Sequence, residues 1–496
     1  VFSSNKIHFN NSYASLPERF YVKQAPLPVK EPSMIRLNRA LADELGLDAD
    51  ALASPAGLAV LAGNDLPDGA EPLAMAYAGH QFGHFVPQLG DGRAILLGEV
   101  VSAGGERRDI QLKGSGRTPF SRGGDGRAWL GPVIREYILS EAMHALKVPT
   151  TRALAAVRTG ETVIREAPRP GAIVTRVASS HIRVGTFQYF AAREDTDALR
   201  LLTDHAIERH YPEAKQVKDH CRAFLQAVSH RQARLVAKWL QVGFIHGVMN
   251  TDNMAISGET IDYGPCAFMD EYDPQKTFSS IDRNGRYAYD QQASIAQWNL
   301  TRLAETLLPQ LDPNQDTAIE IAKSVLGDFT IVFQREWQNA MRGKFGLLTE
   351  EETDVDLIRE FLSLLERRKA DFTESFRALC ELAEGSTTPG GKLLNSSLGE
   401  DPAWQPWQKR WLERLDRQQK SRADAARIMK GYNPAMIPRN HHVERAIQEA
   451  LEDEGSEYMD EMLETLSHPY DDQPVGSPWI VPPRAEEKVL QTFCGT

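Results

Sequence analysis

Residues 245–270 read IHGVMNTDNMAISGETIDYGPCAFMD and gather the residue types that a metal–phosphate site needs. Asn253 and Asp262 both offer hard oxygens, which Mg2+ or Mn2+ prefers. Asp252 places a second carboxylate beside Asn253, and His246 opens the segment. One Asp-x-Gly alone is explained as well by a turn. A turn explains much less well the joint pattern of His-Gly, Asn and Ile-Asp-Tyr-Gly behind a long helical stretch. His246 itself reads as a structural residue of the loop.

Further candidates lie upstream. Lys113 ends the strand-like DIQLK, and Glu136 lies in the helical stretch that follows. A strand-end lysine paired with a helix glutamate holds nucleotide phosphates in some phosphoryl-transfer enzymes. Taken alone, the two would read as a surface lysine and an unrelated glutamate; the order of the neighbouring pieces favours an ion pair. Two glycine turns, LGDGRA at 89–94 and GGDGRA at 123–128, can aim backbone N–H groups at an anion. The first, with Arg93, reads either as a hairpin turn or as a phosphate loop; the second, either as a mobile insert or as a flap over a nucleotide. Arg176 and Arg183 flank VASSHI, and guanidinium groups fork onto phosphate oxygens. Solvated arginines explain them equally well. His80 and His84 in GHQFGHF have the helix spacing of metal ligands. Their flanking glycines and aromatics argue against a helix, so both read as structural.

The elements that must position these residues can be read from periodicity. The segment SMIRLNRALADELGLD predicts a short amphipathic helix closed by Gly46. Strands are expected over Ala94–Val101 and Arg108–Lys113, joined by a Gly-Gly turn. A Gly/Arg-rich loop leads into a helix over 132–147, with Pro132 in its first turn. Val133, Ile134, Tyr137, Ile138 and Met143 form its buried face. Two more strands follow, in ALAAVRTGETVIREA and GAIVTRVAS. From about residue 190 the pattern turns helical, with helices expected near 290–308, 315–343, 354–384, 403–429 and 441–466. The last thirty residues read as a Pro-rich tail lying across the body. The organisation expected is an N-terminal extension (1–85), a strand-rich nucleotide-binding unit (86–185), a helical catalytic unit with its extension (186–466) and the tail (467–496).

Bulk composition sets the class. The 496 residues are 42% hydrophobic and 25% charged, ordinary values for a globular protein of about two to four domain-sized units. The net charge of −12 argues against a nucleic-acid partner. No apolar run approaches the ~18 residues of a membrane span. The N-terminal residues lack the apolar core of a signal peptide, so a cytoplasmic protein with no membrane partner is expected. Four cysteines (Cys221, Cys266, Cys380, Cys494) are too few and too scattered for a disulfide framework or a zinc site.

The order of the pieces is that of a protein kinase. Kinases carry H-R-D-x-x-x-x-N and then D-F-G. His246 and Asn253 keep that spacing, and Asp262-Tyr263-Gly264 fills the D-F-G place. Val248, however, stands where the catalytic Asp belongs. Together YAGHQFGHFVPQLGDGRAILLGE, DIQLKGSGRTPFSRGGDGRA, HGVMNTDNMAISGETIDYGPCAFMD and a cysteine close to the C-terminus resemble the selenoprotein O (SelO) family over nearly the whole chain. The resemblance implies an α+β, protein-kinase-like bilobal fold, with a small strand-rich N-lobe, a large helical C-lobe and extensions at both ends. It implies a protein adenylyltransferase that moves AMP from ATP to Ser, Thr or Tyr hydroxyls of proteins, releasing pyrophosphate, with the nucleotide flipped relative to a kinase. Carried over by position, Gly90, Gly92 and Arg93 would line the nucleotide, and Lys113, held by Glu136, would meet phosphate. Asp125 and Gly126 would touch the flipped nucleotide, and Arg176 and Arg183 would bind its phosphates. Asn253 and Asp262 would hold Mg2+ or Mn2+, and Asp252 would be the base.

Relatives in animals carry selenocysteine near the C-terminus, where this chain has Cys494. Cys266, just past Gly264, and Cys494 are either two separate thiols or a redox pair that pins the tail near the site. A monomer is expected. The competing readings are an atypical kinase transferring the γ-phosphoryl group and an inactive pseudokinase scaffold. The intact Lys, Glu, Asn and Asp set argues against the scaffold.

Overall fold

The computed structural model describes residues 7–452, 455–474 and 476–492. Its N-terminal part builds one antiparallel sheet. In chain order the strands are β1 (Tyr21–Lys23), β2 (Ser33–Leu37), β3 (Leu73–Met75), β4 (Ala94–Val101), β5 (Arg107–Lys113), β6 (Ala128–Trp129), β7 (Arg152–Ile164) and β8 (Pro168–Ala178). Across the sheet the order is β1-β3-β4-β5-β8-β7-β2, with β6 paired to β8. The first 85 residues thus contribute three strands to the same sheet as the glycine turns and Lys113.

Both faces of this sheet are covered, which is why its strands read as nearly continuous apolar runs. Alternate residues point to opposite faces. Ile95 and Leu97 join Leu41, Leu52 and Leu61 from the short N-terminal helices. Leu96, between them, packs with Ile134 and Ile138 of the helix α1 (Leu130–Ala145) on the other face. Helix α1 begins two residues before its expected start. Pro132 therefore falls third in the first turn, where a missing N–H still breaks no intrahelical bond.

The segment expected as one amphipathic helix is instead a strand followed by a helix. Residues 33–37 form β2 and pair with β7, Met34 opposite Val157. The helix starts only at Arg39, after Asn38 has capped it by accepting from Leu41 N. A free sheet edge captured a stretch whose local pattern suited either state.

The C-terminal part is largely helical. Helix α2 (Val184–Ala191) follows β8 after a five-residue link, then α3 (Thr196–His210) and α4 (His220–Val242). Beyond the motif come α5 (Gln292–Leu311) and α6 (Gln315–Lys344), which pack with α4. Three expected long helices are each broken in two, as 354–368 and 372–382, 404–416 and 422–430, and 440–452 and 457–466. A helix at 389–398 was not expected. The first break is made by Lys369 in the left-handed region (φ 49°), after which Asp371 caps the next helix. The second is made at Ser421, again a cap. Neither carries the Gly or Pro that would have marked it, so apolar periodicity ran through both. Trp404, Trp407 and Trp411 stack in series, with ring centroids 5.6 and 5.7 Å apart, in a second core.

The tail lies across the body. Tyr470 donates to the Leu146 carbonyl at 3.1 Å, Lys488 pairs with Glu271 at 2.7 Å, and Thr492 Oγ1 donates to Pro265 O at 2.6 Å. Cys494 lies outside the described residues, while Cys266 is fully buried. No helix among the described residues is long and apolar enough to cross a membrane.

Candidate active site

Five charged side chains form a ring where the sheet meets the motif. Lys113, at the end of β5, donates to Glu136 Oε2 at 2.6 Å and to Asp262 Oδ1 at 2.9 Å. Arg176, on β8, forks onto Glu136 Oε1 at 2.8 and 2.6 Å and reaches Asp262 Oδ1 at 2.6 Å. Arg183, just before α2, meets Asp262 Oδ2 at 2.5 Å and the Asp252 carbonyl at 2.6 Å. Its guanidinium lies 4.7 Å above the Tyr77 ring. The β5–β8 register, Arg176 opposite Gln111 and Val174 opposite Lys113, brings both strands' cations to Glu136 of α1.

Burial alone would raise the Asp262 carboxyl, but Arg176, Lys113 and Arg183 outweigh it and hold it well below the ordinary carboxylate value. Burial likewise opposes ionisation of Glu136, and Arg176 and Lys113 again win. Asp262 sits in the left-handed region (φ 64°), a conformation that Asp tolerates better than most residues. His246 supports this turn structurally: its ring bonds the Ile261 carbonyl at 2.9 Å.

Asp252 differs. Burial pushes its carboxyl up to about 6, against the pull of Arg183. Among the described residues its Oδ1 is buried without a hydrogen-bond partner, and Gln81 Nε2, 3.4 Å from Oδ2, is the sole side-chain donor to the carboxylate. A carboxylate so poorly compensated binds a proton more readily than Asp262 or Glu136 does. Asn253 donates Nδ2 to Val248 O at 3.0 Å, and its amide oxygen takes no hydrogen bond from the described residues.

Every residue expected at the site, the two cysteines apart, lines one cavity of about 790 Å³. Gly90 (φ 87°) and Gly126 (φ 69°) both need the left-handed backbone of their turns. A Cβ on Gly126 would meet the Gly116 carbonyl at 2.1 Å. Asp125 stands at the rim, paired with Arg165 at 2.8 Å. Arg93 and Arg122 face the cavity with no carboxylate partner among the described residues. Sequence reasoning missed Arg122, Tyr77 and Gln81. The last two belong to the YAGHQFGHF stretch, where the His spacing is a metal-ligand signal and a lone glutamine carries none.

No group of three or more His, Cys, Asp or Glu among the described residues could hold a metal alone. Asn253 and Asp262 supply two hard oxygens on the same cavity, which fits a Mg2+-type ion that takes its other ligands from phosphate and water. The structure shows Asp262 engaged by three cations, so a metal would share that carboxylate with them.

Comparison with known proteins gives the same direction. The family described as "Protein adenylyltransferase SelO" matches residues 3–467. A "Protein nucleotidyltransferase YdiU" of Rhizobium meliloti is 59% identical over 98% of this chain and 99% of its own length. Namesakes from Rhizobium rhizogenes (58%, all of this chain and 98% of the relative) and Bradyrhizobium diazoefficiens (56%, 98% and 99%) are similarly close. With the match spanning the sheet, the ion ring and the helices around the motif, the chain belongs to the SelO family of protein adenylyltransferases.

Proposed function

We propose that the chain transfers AMP from ATP to Ser, Thr or Tyr hydroxyls of proteins, within a protein-kinase-like bilobal fold. The observation that carries this reading is the charged ring of Lys113, Glu136, Arg176, Arg183 and Asp262 on the cavity wall, with a buried, poorly compensated Asp252 beside it and Val248 where a kinase would place its base. The sheet with α1 on one face, ahead of a helical part carrying the motif, supports the two-lobed arrangement. The divisions proposed for it are 1–85, 86–185, 186–466 and 467–496, with three strands of the first joining the sheet of the second.

In this reading the acceptor hydroxyl oxygen attacks the α-phosphorus of ATP. The bond from that phosphorus to the oxygen bridging to the β-phosphate breaks, and pyrophosphate leaves. Asp252 takes the hydroxyl proton, and Lys113, oriented by Glu136, stabilises phosphate charge. Arg176 and Arg183 neutralise the phosphates. Arg93 and Arg122, both without acid partners among the described residues, anchor the outer phosphates of a nucleotide lying flipped relative to a kinase, with Gly90, Gly92, Asp125 and Gly126 along it. Mg2+ or Mn2+, held by Asn253 and Asp262, would supply further neutralisation of phosphate charge. Labelled ATP tests the reading. Label from α-³²P-ATP should stay on the acceptor protein; retention of γ-label instead would establish phosphoryl transfer.

A further inference from the structure

The stretch Gly79–Val86 forms a tight hairpin, with Gly79 opposite Val86 and Gln81 opposite His84. It is locked onto the loop that carries Asp252. His80 N donates to Thr251 Oγ1 at 2.7 Å, and Phe82 N to Asn250 Oδ1 at 3.0 Å. Thr251 Oγ1 passes its own proton to Gln188 Oε1 at 2.6 Å, which turns Gln188 Nε2 towards His80 Nδ1 at 2.8 Å. This closed circuit fixes every donor and acceptor in it. Behind it, Tyr287 donates to the same Asn250 oxygen at 2.7 Å, and the Phe82 ring packs edge-on against Tyr287.

Two hairpin residues then meet the Asp252 carboxylate. A Cβ on Gly79 would lie 2.4 Å from Oδ1 and 2.9 Å from the carboxyl carbon. Gly79 is not among the residues of positive φ, so the carboxylate and not the backbone demands glycine there. Gln81 Nε2, 3.4 Å from Oδ2, is the sole side-chain donor to that carboxylate among the described residues. Gln81 and Asp252 both line the cavity.

We propose that Gly79 and Gln81 are positioning residues for Asp252: the glycine admits the carboxylate, and the glutamine holds its plane while the acceptor hydroxyl approaches. This rests on the proposed role of Asp252 as proton acceptor. Neither residue touches the reacting atoms. Their loss acts through Asp252, so it lowers kcat and leaves nucleotide binding alone.

The test is a double-mutant comparison with α-³²P-ATP, Mg2+ and casein as the acceptor probe. Gln81→Leu should lower kcat by about threefold to tenfold, the weight of one ordinary hydrogen bond, with KM for ATP unchanged. Gly79→Ala should lower it further, because the added methyl must displace the carboxylate. In an Asp252→Ala background neither substitution should cause any additional loss. Wild-type kcat in Gln81→Leu, or the same fractional loss with and without Asp252, would reduce the hairpin to a structural brace and overturn the proposal. Gln81 is partly exposed, so its variant carries the test alone if Gly79→Ala does not fold. If the wild type transfers γ-label instead, the adenylyl reading falls, and the coupling of Gln81 to Asp252 is still read from the same four proteins.

Discussion

Asp262→Asn tests the charged ring most directly. Asp262 accepts from Lys113, Arg176 and Arg183 at 2.9, 2.6 and 2.5 Å. Within the ring, three cations face two carboxylates. Neutralising Asp262 leaves the three cations with Glu136 alone. Removing one partner of a buried ion pair costs about 3–5 kcal/mol, because the charge left behind is uncompensated. The Asp262 side chain retains 19% exposure on a cavity wide enough for water, which argues for the lower end, about 3 kcal/mol. Asparagine is the better probe than alanine here. It tolerates the left-handed backbone at φ 64°, where alanine would add about 1 kcal/mol of strain and confuse the result. Urea unfolding measures the stability loss, α-label transfer over a Mg2+ titration measures activity, and calorimetric ATP titration without metal measures binding. The expected outcome is a destabilised protein without metal-dependent transfer. Its metal-free ATP affinity should be retained or tightened, since the ring's excess positive charge grows. Wild-type stability would show that the ring does not hold this junction together. Wild-type turnover would remove Asp262 from the chemistry altogether.

Lys113→Ala should abolish transfer yet leave the protein folded, because Arg176 still holds Glu136 through two hydrogen bonds; turnover at the wild-type rate would exclude the lysine from the site. Asp252→Ala should slow transfer by about 10²–10⁴-fold while ATP binding persists, and a normal rate at saturating ATP would refute a proton-accepting role. Lys344, buried at the end of α6 with Nζ 4.1 Å from the Phe376 ring centroid, is lowered by burial to about 7. Its folded value lies below its unfolded one, so the unfolded chain binds the extra proton between those two values, and stability rises with pH across that window. Lys344→Met should therefore stabilise by about 1–4 kcal/mol at pH 6, with the gain shrinking towards pH 10; equal gains at both pH values in urea unfolding would contradict the assignment.

Local chemistry made much of this protein legible in its sequence. The strands expected at Ala94–Val101 and Arg108–Lys113 follow from apolar runs around a Gly-Gly turn, the second forming one residue earlier at Arg107, and α1 follows from its apolar face. The spacing of Asn253 and Asp262 and the two glycine turns drew attention to the cavity wall, because turn geometry and hard-oxygen donors leave short-range marks. Other features left no such mark. In the sequence, solvated arginines and a phosphate site explain Arg176 and Arg183 equally well. Their partner Asp262 lies 86 and 79 residues away, and only the β8–β5 register and the return of the motif loop bring the three together. The SMIRL stretch became a strand because a sheet edge was open to it, against a local pattern that suited a helix equally. The Gly79–Val86 hairpin meets Asp252 from 171 residues away in the chain, and nothing in its own composition announces a carboxylate neighbour. Periodicity and turn chemistry act over a few residues and can be read along the chain; the partner of a buried charge is chosen by packing between distant segments, and only the tertiary structure decides it.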